Sequence, residues 1–338
     1  MRADAHLDLA MDVAMKRSWG RTNVLEEDYY PSVKRSRVRL IISSLFIENQ
    51  FLPESGLRKA LLQLQALLDD IQESKHFVLA YNFTDIQRIH SQKKIAIMLS
   101  FEGIEPLGED ISLLSVFYAL GVRGVGVCWA RRNAAADGSD FIEDDRFSPC
   151  GLRPFSRVLF DKMQKLGMYL DLAHMNEKGF FEALDAFPGS VMVSHANCRS
   201  LCDTPRNLSD QQVRAMISRG GFLGINGMNF TVSDGRSLSE DIRGVARHVI
   251  HILELGGENQ VGLGLDFNDM ILPYIPAQQL KLLPRKPFDC LAGYEELDML
   301  HHELKNAGVS EECIQKFMSK NLMRFLQAHF ENEEKNGH

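Results

Sequence analysis

Short runs of apolar residues alternate with longer segments of mixed apolar and polar residues along most of the chain. The short runs are rich in Val, Ile, Leu or Met and are often bounded by Gly, which is typical of buried parallel strands. On this pattern we predict eight strands, at Ala3–Leu9, Val38–Phe46, Ile95–Phe101, Val122–Trp129, Met168–His174, Val191–His195, Gly221–Met228 and Gln260–Phe267.

Helix-forming segments lie between most of these strands. We predict helices at Leu57–Ser74, Phe155–Leu166, Asp210–Arg219 and Leu238–Leu255. The last of them begins near a Ser-Glu-Asp sequence, which is a good helix start.

Eight strands that alternate with helices predict an α/β protein, and specifically a (β/α)8 barrel of the TIM type. A doubly wound open sheet is the alternative, but no G-x-G-x-x-G motif follows the first strand, which removes the commonest ligand signature of that fold. We predict one domain over residues 1–330 and a polar C-terminal tail over residues 331–338. Two insertions, Arg131–Pro154 and Asn268–Pro287, follow strands, so we expect them to overhang the end of the barrel where active sites lie.

The composition is that of an ordinary globular protein, with 45% hydrophobic and 25% charged residues. The formal net charge is -7 and no stripe of Lys and Arg follows a predicted helix, which argues against a nucleic-acid partner.

The first residues carry charges where a signal peptide would be apolar, and no apolar run reaches the roughly 20 residues of a membrane span. The six cysteines are spread along the chain, unlike a secreted disulfide framework. We therefore expect a soluble cytoplasmic protein with no membrane partner.

Ionisable residues with the chemistry of metal ligands end five of the predicted strands. His6 and Asp8 are two residues apart on the first strand, so both side chains point to the same face. Burying such groups is unfavourable unless something compensates them, and in a barrel the strand ends converge on one small volume. The pattern therefore predicts a metal site made from strand-end residues, namely His6, Asp8, Glu102, His174, His195 and Asp266.

The chain resembles the membrane dipeptidase (renal dipeptidase) family of zinc metallopeptidases, as a soluble member of the bacterial type. The resemblance extends over nearly the whole chain and implies a barrel like those of the metallo-dependent hydrolases. It rests on seven motifs in family order, which are DAHLD, SFEG, DLAH, VSHANCRSL, DTPRNLSD, GGFLGIN and GLGLDF.

The resemblance implies a role for each of these residues and a cofactor of two Zn²⁺ per chain. His6 and Asp8 would hold one zinc, His174 and His195 the other, and Glu102 would bridge the two. Asp266 would accept a proton from the attacking water and return it to the departing amine, and Arg206 would pair with the terminal carboxylate of the substrate. The implied reaction is hydrolysis of the amide bond of a small dipeptide by a hydroxide that bridges the metals. A homodimer is also implied by the resemblance alone.

The sequence departs from the better-known family pattern at two positions. Cys128-Trp129 stands where a Thr-His pair is usual, and we interpret Trp129 as a wall of the substrate pocket. Asn268 stands where a second aspartate is usual, and we expect it to act on the site only indirectly.

Two other functions remain open from the sequence. One is a related amidohydrolase that acts on a non-peptide amide or a lactone, although the fourth strand lacks the metal-bridging lysine that such barrels often use. The other is a metal-binding barrel without catalytic activity, against which the complete set of ligands argues.

Overall fold

A computed structural model describes residues 1–140, 148–236, 238–275 and 285–335 of the chain. Parts of both predicted insertions, residues 141–147 and 276–284, lie outside the described residues, as does the end of the predicted tail, residues 336–338. Within the described part, no helix is both long enough and apolar enough to span a membrane.

All eight predicted strands are present, and each is followed along the chain by at least one helix. The strands are β1 Arg2–Leu7, β2 Val38–Leu45, β3 Phe77–Leu79, β4 Ile95–Glu102, β5 Val122–Gly126, β6 Tyr169–Asp171, β7 Val191–Val193, β8 Phe222–Ile225 and β9 Val261–Leu263. The short strand β3 is the one that the sequence pattern did not predict.

The strands form a closed parallel barrel. Their order is β2-β1-β9-β8-β7-β6-β5-β4, and β2 pairs with β4 to close the ring of eight. Strand β3 pairs with the first residues of β4, whereas β5 pairs with the same strand from Leu99 onwards. The predicted (β/α)8 architecture is therefore confirmed, with β3 added below β5 as an extra strand.

Helices surround the barrel on the outside. They are α1 Leu9–Ser18, α2 Tyr30–Arg35, α3 Gly56–Glu73, α4 Phe83–Ser91, α5 Ser112–Ala119, α6 Phe155–Leu166, α7 Glu177–Ala186, α8 Asp210–Arg219, α9 Asn229–Val232, α10 Ile242–Glu254, α11 Leu297–Asn306, α12 Glu311–Gln315 and α13 Asn321–Lys335. Single turns of 3-10 or π geometry occur at Leu25–Tyr29, Asn49–Phe51, Glu105–Leu107, Leu272–Tyr274, Tyr294–Glu296 and Lys316–Lys320.

The ends of the helices follow the polar residues that cap them. Helices α6 and α8 have the predicted bounds, and Ser209 caps α8 together with Gln212. Helix α10 begins at Ile242, four residues later than predicted, because the Asp241 carboxylate accepts hydrogen bonds from the first free N–H groups. Helix α13 continues to Lys335, so the predicted boundary at residue 330 falls inside a helix.

The side chains of β4 show how the barrel positions its polar residues. Ile95, Ile97 and Leu99 pack against the surrounding helices, whereas Ala96 and Met98 belong to a second apolar cluster that contains residues of α13. Because strand side chains alternate, Ser100 and Glu102 share the inward face with Ala96 and Met98. Glu102 therefore points into the barrel at its carboxyl end.

A buried carboxylate joins the first and last strands of the ring. Asp4 is fully buried, and its Oδ1 accepts the Leu265 N–H at 3.0 Å and the His6 N–H at 3.4 Å. Its Oδ2 accepts the Tyr294 hydroxyl at 2.7 Å. Just beyond this junction the Asp266 N–H donates to the His6 carbonyl at 3.3 Å, which brings these two residues together.

Candidate metal centre and active site

The six strand-end residues that the sequence singled out meet at the carboxyl end of the barrel. They come from the ends of β1, β4, β6, β7 and β9, which are separated by up to 260 residues along the chain. The side chains of the five predicted ligands are nearly inaccessible to solvent, and Asp266 retains slight exposure.

Glu102 lies between two groups of potential ligands. Its Oε1 is 2.8 Å from His174 Nε2 and 3.5 Å from His195 Nε2, and its Oε2 is 3.5 Å from His6 Nε2. The Nε2 atoms of His174 and His195 are 3.0 Å apart. One carboxylate therefore faces a pair of imidazoles with one oxygen and a third imidazole with the other.

Asp8 and Asp266 complete the centre on the side of His6. The Nε2 of His6 is 4.0 Å from Asp8 Oδ1 and 3.7 Å from Asp266 Oδ1. In two sets of three side chains, the potential ligand atoms all lie within 4.8 Å of one another. One set is His6, Glu102 and His195, and the other is His6, Asp8 and Asp266. Such spacing is compatible with coordination of a small cation by each set.

Polar residues outside the centre orient these side chains. The Ser44 hydroxyl donates to Asp8 Oδ1, and the Ser194 hydroxyl lies 2.7 Å from His195 Nδ1. The Asn226 side-chain amide donates to Asp266 Oδ2 at 2.9 Å. Such contacts fix the direction in which a metal ligand presents its free atom. Ser194 and Asn226 lie in the motifs VSHANCRSL and GGFLGIN, but no role was predicted for them or for Ser44, because a Ser or Asn near a strand end has no distinctive chemistry.

The amide of Asn268 donates to the backbone carbonyl of Asp266 at 2.6 Å, which agrees with the indirect role expected for it. Asp266 and His174 both have backbone conformations in the left-handed region, with φ of 52° and 67°. Residues other than glycine rarely adopt this region, and they do so mainly where the surrounding structure imposes it, often at functional sites.

Burial determines the protonation of the centre. It raises the pKa of Asp8 and of Asp266 to about 7 and that of Glu102 to about 8, with neighbouring carboxylates adding to the effect. It also holds the pKa values of His174 and His195 well below their usual range, so both imidazoles stay neutral. Neutral imidazole is the form that binds metal, and cations would compensate the buried carboxylates.

The residues present fit a metal ion on two counts. His6 Nε2 is buried and has no hydrogen-bond partner among the described residues, although it faces three carboxylates. The donor set consists of imidazole nitrogens and carboxylate oxygens, which suits zinc.

A cavity of about 380 Å³ opens above this centre. Its polar lining includes Asp8, Glu102, His174, Arg206 and Asp266, and its apolar wall is made by Met11, Phe46, Trp129, Met228, Phe230, Ile271 and Ile275. Both predicted insertions contribute to it in their described parts, through Ser139 and Asp140 and through Asn268, Ile271 and Ile275.

Arg206 and Trp129, the two predicted substrate-binding residues, both line this cavity. The Arg206 guanidinium donates to the His195 carbonyl, which ties it to the end of β7. The Trp129 ring lies 5.6 Å from the His174 ring and 5.2 Å from the Phe46 ring, measured between centroids. Each therefore stands next to the centre, on the cavity side of it.

Comparison with known proteins relates the chain to metallopeptidases. A family model described as membrane dipeptidase (peptidase family M19) matches residues 1–337. An uncharacterized protein in the pqqA 5' region of Klebsiella pneumoniae is 30% identical over 74% of this chain and 88% of its own length. The dipeptidase tcpJ of Claviceps purpurea is 28% identical over 77% of this chain and 58% of its own length.

A solved structure has the same fold over its whole length. It is a metallopeptidase from Rhodobacter sphaeroides with a bound phosphinate mimic of the dipeptide L-Ala-D-Ala. The superposition has a TM-score of 0.82, covers 96% of this chain and 98% of that chain, and shows 20% sequence identity.

Proposed function

The chain belongs to the membrane dipeptidase family of metallopeptidases, and from this premise we propose that it is a binuclear zinc dipeptidase. Its reaction is hydrolysis of the amide bond of small dipeptides. A dipeptidase is named among its relatives, and a neighbour in structure binds a dipeptide mimic, both of which support this substrate class.

The position of Glu102 between three imidazoles is the observation on which the proposal rests. With Oε1 toward His174 and His195 and Oε2 toward His6, one carboxylate reaches two adjacent coordination positions. His6 and Asp8 would hold one zinc, His174 and His195 the second, and Glu102 both. Zinc bound there would activate a water molecule as the nucleophile and polarise the scissile carbonyl.

Asp266 is the proton carrier in this proposal. Its carboxylate stands beside the proposed metal ligands, with Oδ1 3.7 Å from His6 Nε2, where it can take a proton from a water bound in the centre. Because Asn226 holds Oδ2 by a hydrogen bond, the carboxylate keeps one orientation while its Oδ1 faces His6. It accepts a proton from the attacking water and donates one to the departing amine.

Arg206 and Trp129 select and hold the substrate. A guanidinium can bind a terminal carboxylate through two parallel hydrogen bonds, which fixes the substrate in one orientation. The apolar wall that contains Trp129 favours substrates with apolar side chains, because their transfer from water is favourable.

Zinc content and hydrolysis measured on one preparation test the proposal. We expect about two zinc per chain and cleavage of members of a panel of L,L and L,D dipeptides, abolished by a chelator and restored by zinc. If the protein contained two zinc but cleaved no dipeptide, we would conclude that its substrate is a non-peptide amide or a lactone, or that it is a metal-binding barrel without catalytic activity. A protein that neither contains metal nor takes it up would contradict the metal centre itself.

A further inference from the structure

Glu48 lines the substrate cavity, and it also lines a second cavity between α1 and α3. It lies three residues after the end of β2 and directly before the turn Asn49–Phe51. The backbone carbonyl of Glu48 accepts the Phe51 N–H at 3.0 Å, but its side chain makes no capping hydrogen bond. Its Oε2 is buried and has no hydrogen-bond partner among the described residues.

Two cations next to this segment in the structure have other partners. Arg131 donates to Glu105 Oε1, to Asn49 Oδ1 and to the Ile47 carbonyl, each at 2.8 Å. Lys59 lies over the Phe51 ring, 4.0 Å from its centroid. A buried carboxylate oxygen without a partner is unfavourable. Because Glu48 also lines the cavity, rotation of its carboxylate toward a cationic group of a ligand would remove this deficit.

The other carboxylates around the cavity differ from Glu48 in their contacts. Asp8 accepts a hydrogen bond from Ser44, Asp266 accepts one from Asn226, and Glu102 faces the imidazoles. Asp140 is exposed, unlike Glu48. Among the described acidic residues that line this cavity, Glu48 is thus the one with an unsatisfied buried oxygen and no place in the metal centre.

Glu48 and Arg206 stand on opposite sides of the barrel mouth. Glu48 follows β2 and Arg206 follows β7, and these two strands are four positions apart in either direction around the ring of eight. The metal centre lies between them, because its ligands come from β1, β4, β6, β7 and β9. The cavity therefore has a negative group on one side, a positive group on the other, and the reactive centre in the middle.

We propose that Glu48 binds the free α-ammonium group of the substrate, so that the enzyme selects dipeptides whose amino and carboxyl ends are both charged. This inference rests on the proposed dipeptidase function. A dipeptide carries an ammonium at one end, a carboxylate at the other, and its amide bond between them. When Glu48 holds the ammonium and Arg206 the carboxylate, the amide bond between them lies over the metal centre. The free energy of binding the two ends then offsets most of the entropy lost when the amide bond is oriented for reaction.

The test compares substrates that differ only in the amino group. Ala-Ala carries the α-ammonium, and propionyl-alanine has the same shape without it. We expect the wild-type protein to prefer Ala-Ala, and Glu48→Gln to lower kcat/KM for Ala-Ala by about 30-fold, mainly through KM, since a charge-assisted hydrogen bond is lost. The same substitution should change kcat/KM for propionyl-alanine by less than about twofold, because that substrate never used the carboxylate.

Asp140→Asn is the matched control, because it removes a carboxylate from the rim of the same cavity. It should leave the ratio between the two substrates unchanged. Equal effects of Glu48→Gln on both substrates, no effect on either, or loss of the preference in Asp140→Asn would each overturn the proposal.

A binding measurement separates this inference from the proposed function. If the zinc-loaded wild-type protein hydrolysed no dipeptide, the proposed function would be contradicted, and calorimetric binding of the same two compounds would still test Glu48. Tighter binding of Ala-Ala than of propionyl-alanine in the wild type, lost in Glu48→Gln, would support the ammonium site. Equal binding of both compounds by the wild type would overturn it.

Discussion

The buried carboxylates at and next to the metal centre are of two kinds, which differ in the groups that their oxygens face. Asp4 and Asp171 accept backbone N–H groups of neighbouring strand ends, for Asp171 from Ala173 and Ser194. Asp8, Glu102 and Asp266 instead direct oxygens toward imidazole nitrogens. The first kind fixes the backbone that carries the ligands, and the second kind presents a charge that only a cation or a proton can balance.

At the residue scale, Asp266→Asn tests the proposed proton carrier. Asparagine preserves the shape of the side chain but cannot accept the proton, so we expect kcat to fall by about 100- to 10,000-fold. Zinc content, measured by elemental analysis of the same sample, should stay close to that of the wild type. Full turnover with normal zinc would remove the role assigned to Asp266.

The role of Trp129 is tested by substrates of different side-chain size. Trp129→Ala removes apolar surface from the cavity wall, so we expect KM for Leu-Leu to rise about tenfold, which corresponds to about 1.4 kcal/mol. KM for Gly-Gly should change little, since glycine has no side chain to contact the wall. A uniform change for both dipeptides would indicate that Trp129 supports the site in another way.

At the scale of elements, the loop between β7 and α8 holds Arg206 in place through contacts with distant segments. Asn207, the next residue, donates from its side chain to the carbonyls of Cys202 and Thr231 at 2.9 and 2.8 Å. The Cys198 N–H donates to Nδ1 of His248 on α10 at 3.1 Å. The loop is therefore attached on both sides of the proposed carboxylate-binding residue.

The attachment through His248 makes stability depend on pH. Burial lowers the pKa of His248 to about 4, and its Nε2 lies 2.8 Å from the Val232 carbonyl. In the unfolded chain a histidine titrates near 6.5, so between pH 6.5 and 4 the unfolded state binds the extra proton. The contribution of His248 to the free energy of unfolding is therefore largest above pH 6.5, and it decreases as the pH falls toward 4.

We expect this dependence to show in a comparison of the wild type with His248→Gln. The difference in free energy of unfolding between the two proteins should shrink by about 2 kcal/mol from pH 7 to pH 5. Urea unfolding at a series of pH values measures it, and the titration of all other groups cancels in the difference. A gap that is independent of pH would mean that His248 does not become charged on unfolding.

At the scale of the whole molecule, the metal centre connects segments from both ends of the chain. Its proposed ligands begin at His6 in β1 and end at His195 after β7, while Asp266 follows β9 next to β1. Bound metal would therefore stabilise the closed ring rather than one local element, because unfolding any of these strands breaks the site.

Removal of the metal should accordingly destabilise the entire barrel. A ligand present at about 1,000 times its dissociation constant adds about 4 kcal/mol to the free energy of unfolding. We therefore expect a chelator to lower Tm by roughly 5–10 °C. Calorimetry should show one transition that shifts as a whole and returns when zinc is restored. An unchanged Tm in protein shown to have lost its zinc would contradict this coupling.

Much of the fold and of the metal centre follows from local features of the sequence. The eight barrel strands were predictable because each is rich in apolar residues, and Glu102, His174, His195 and Asp266 stand out because each lies at the end of such a run. The short strand β3 was missed, although it has three residues, as have β6, β7 and β9, which the pattern did predict. The start of α10 was predicted at Leu238, four residues too early, because the sequence there contains several polar residues that could begin a helix, and only the structure selects Asp241 as the cap.

The sequence by itself determined the kind of barrel and the chemistry at its carboxyl end, since both depend on residues close together in the chain. The tertiary structure decided what depends on distance around the ring, namely the hydrogen bonds of Ser44, Ser194 and Asn226 to the centre. It also decided that Glu48 and Arg206 follow strands on opposite sides of the ring. These relations join segments far apart in sequence, and closure of the barrel is the physical reason that they meet.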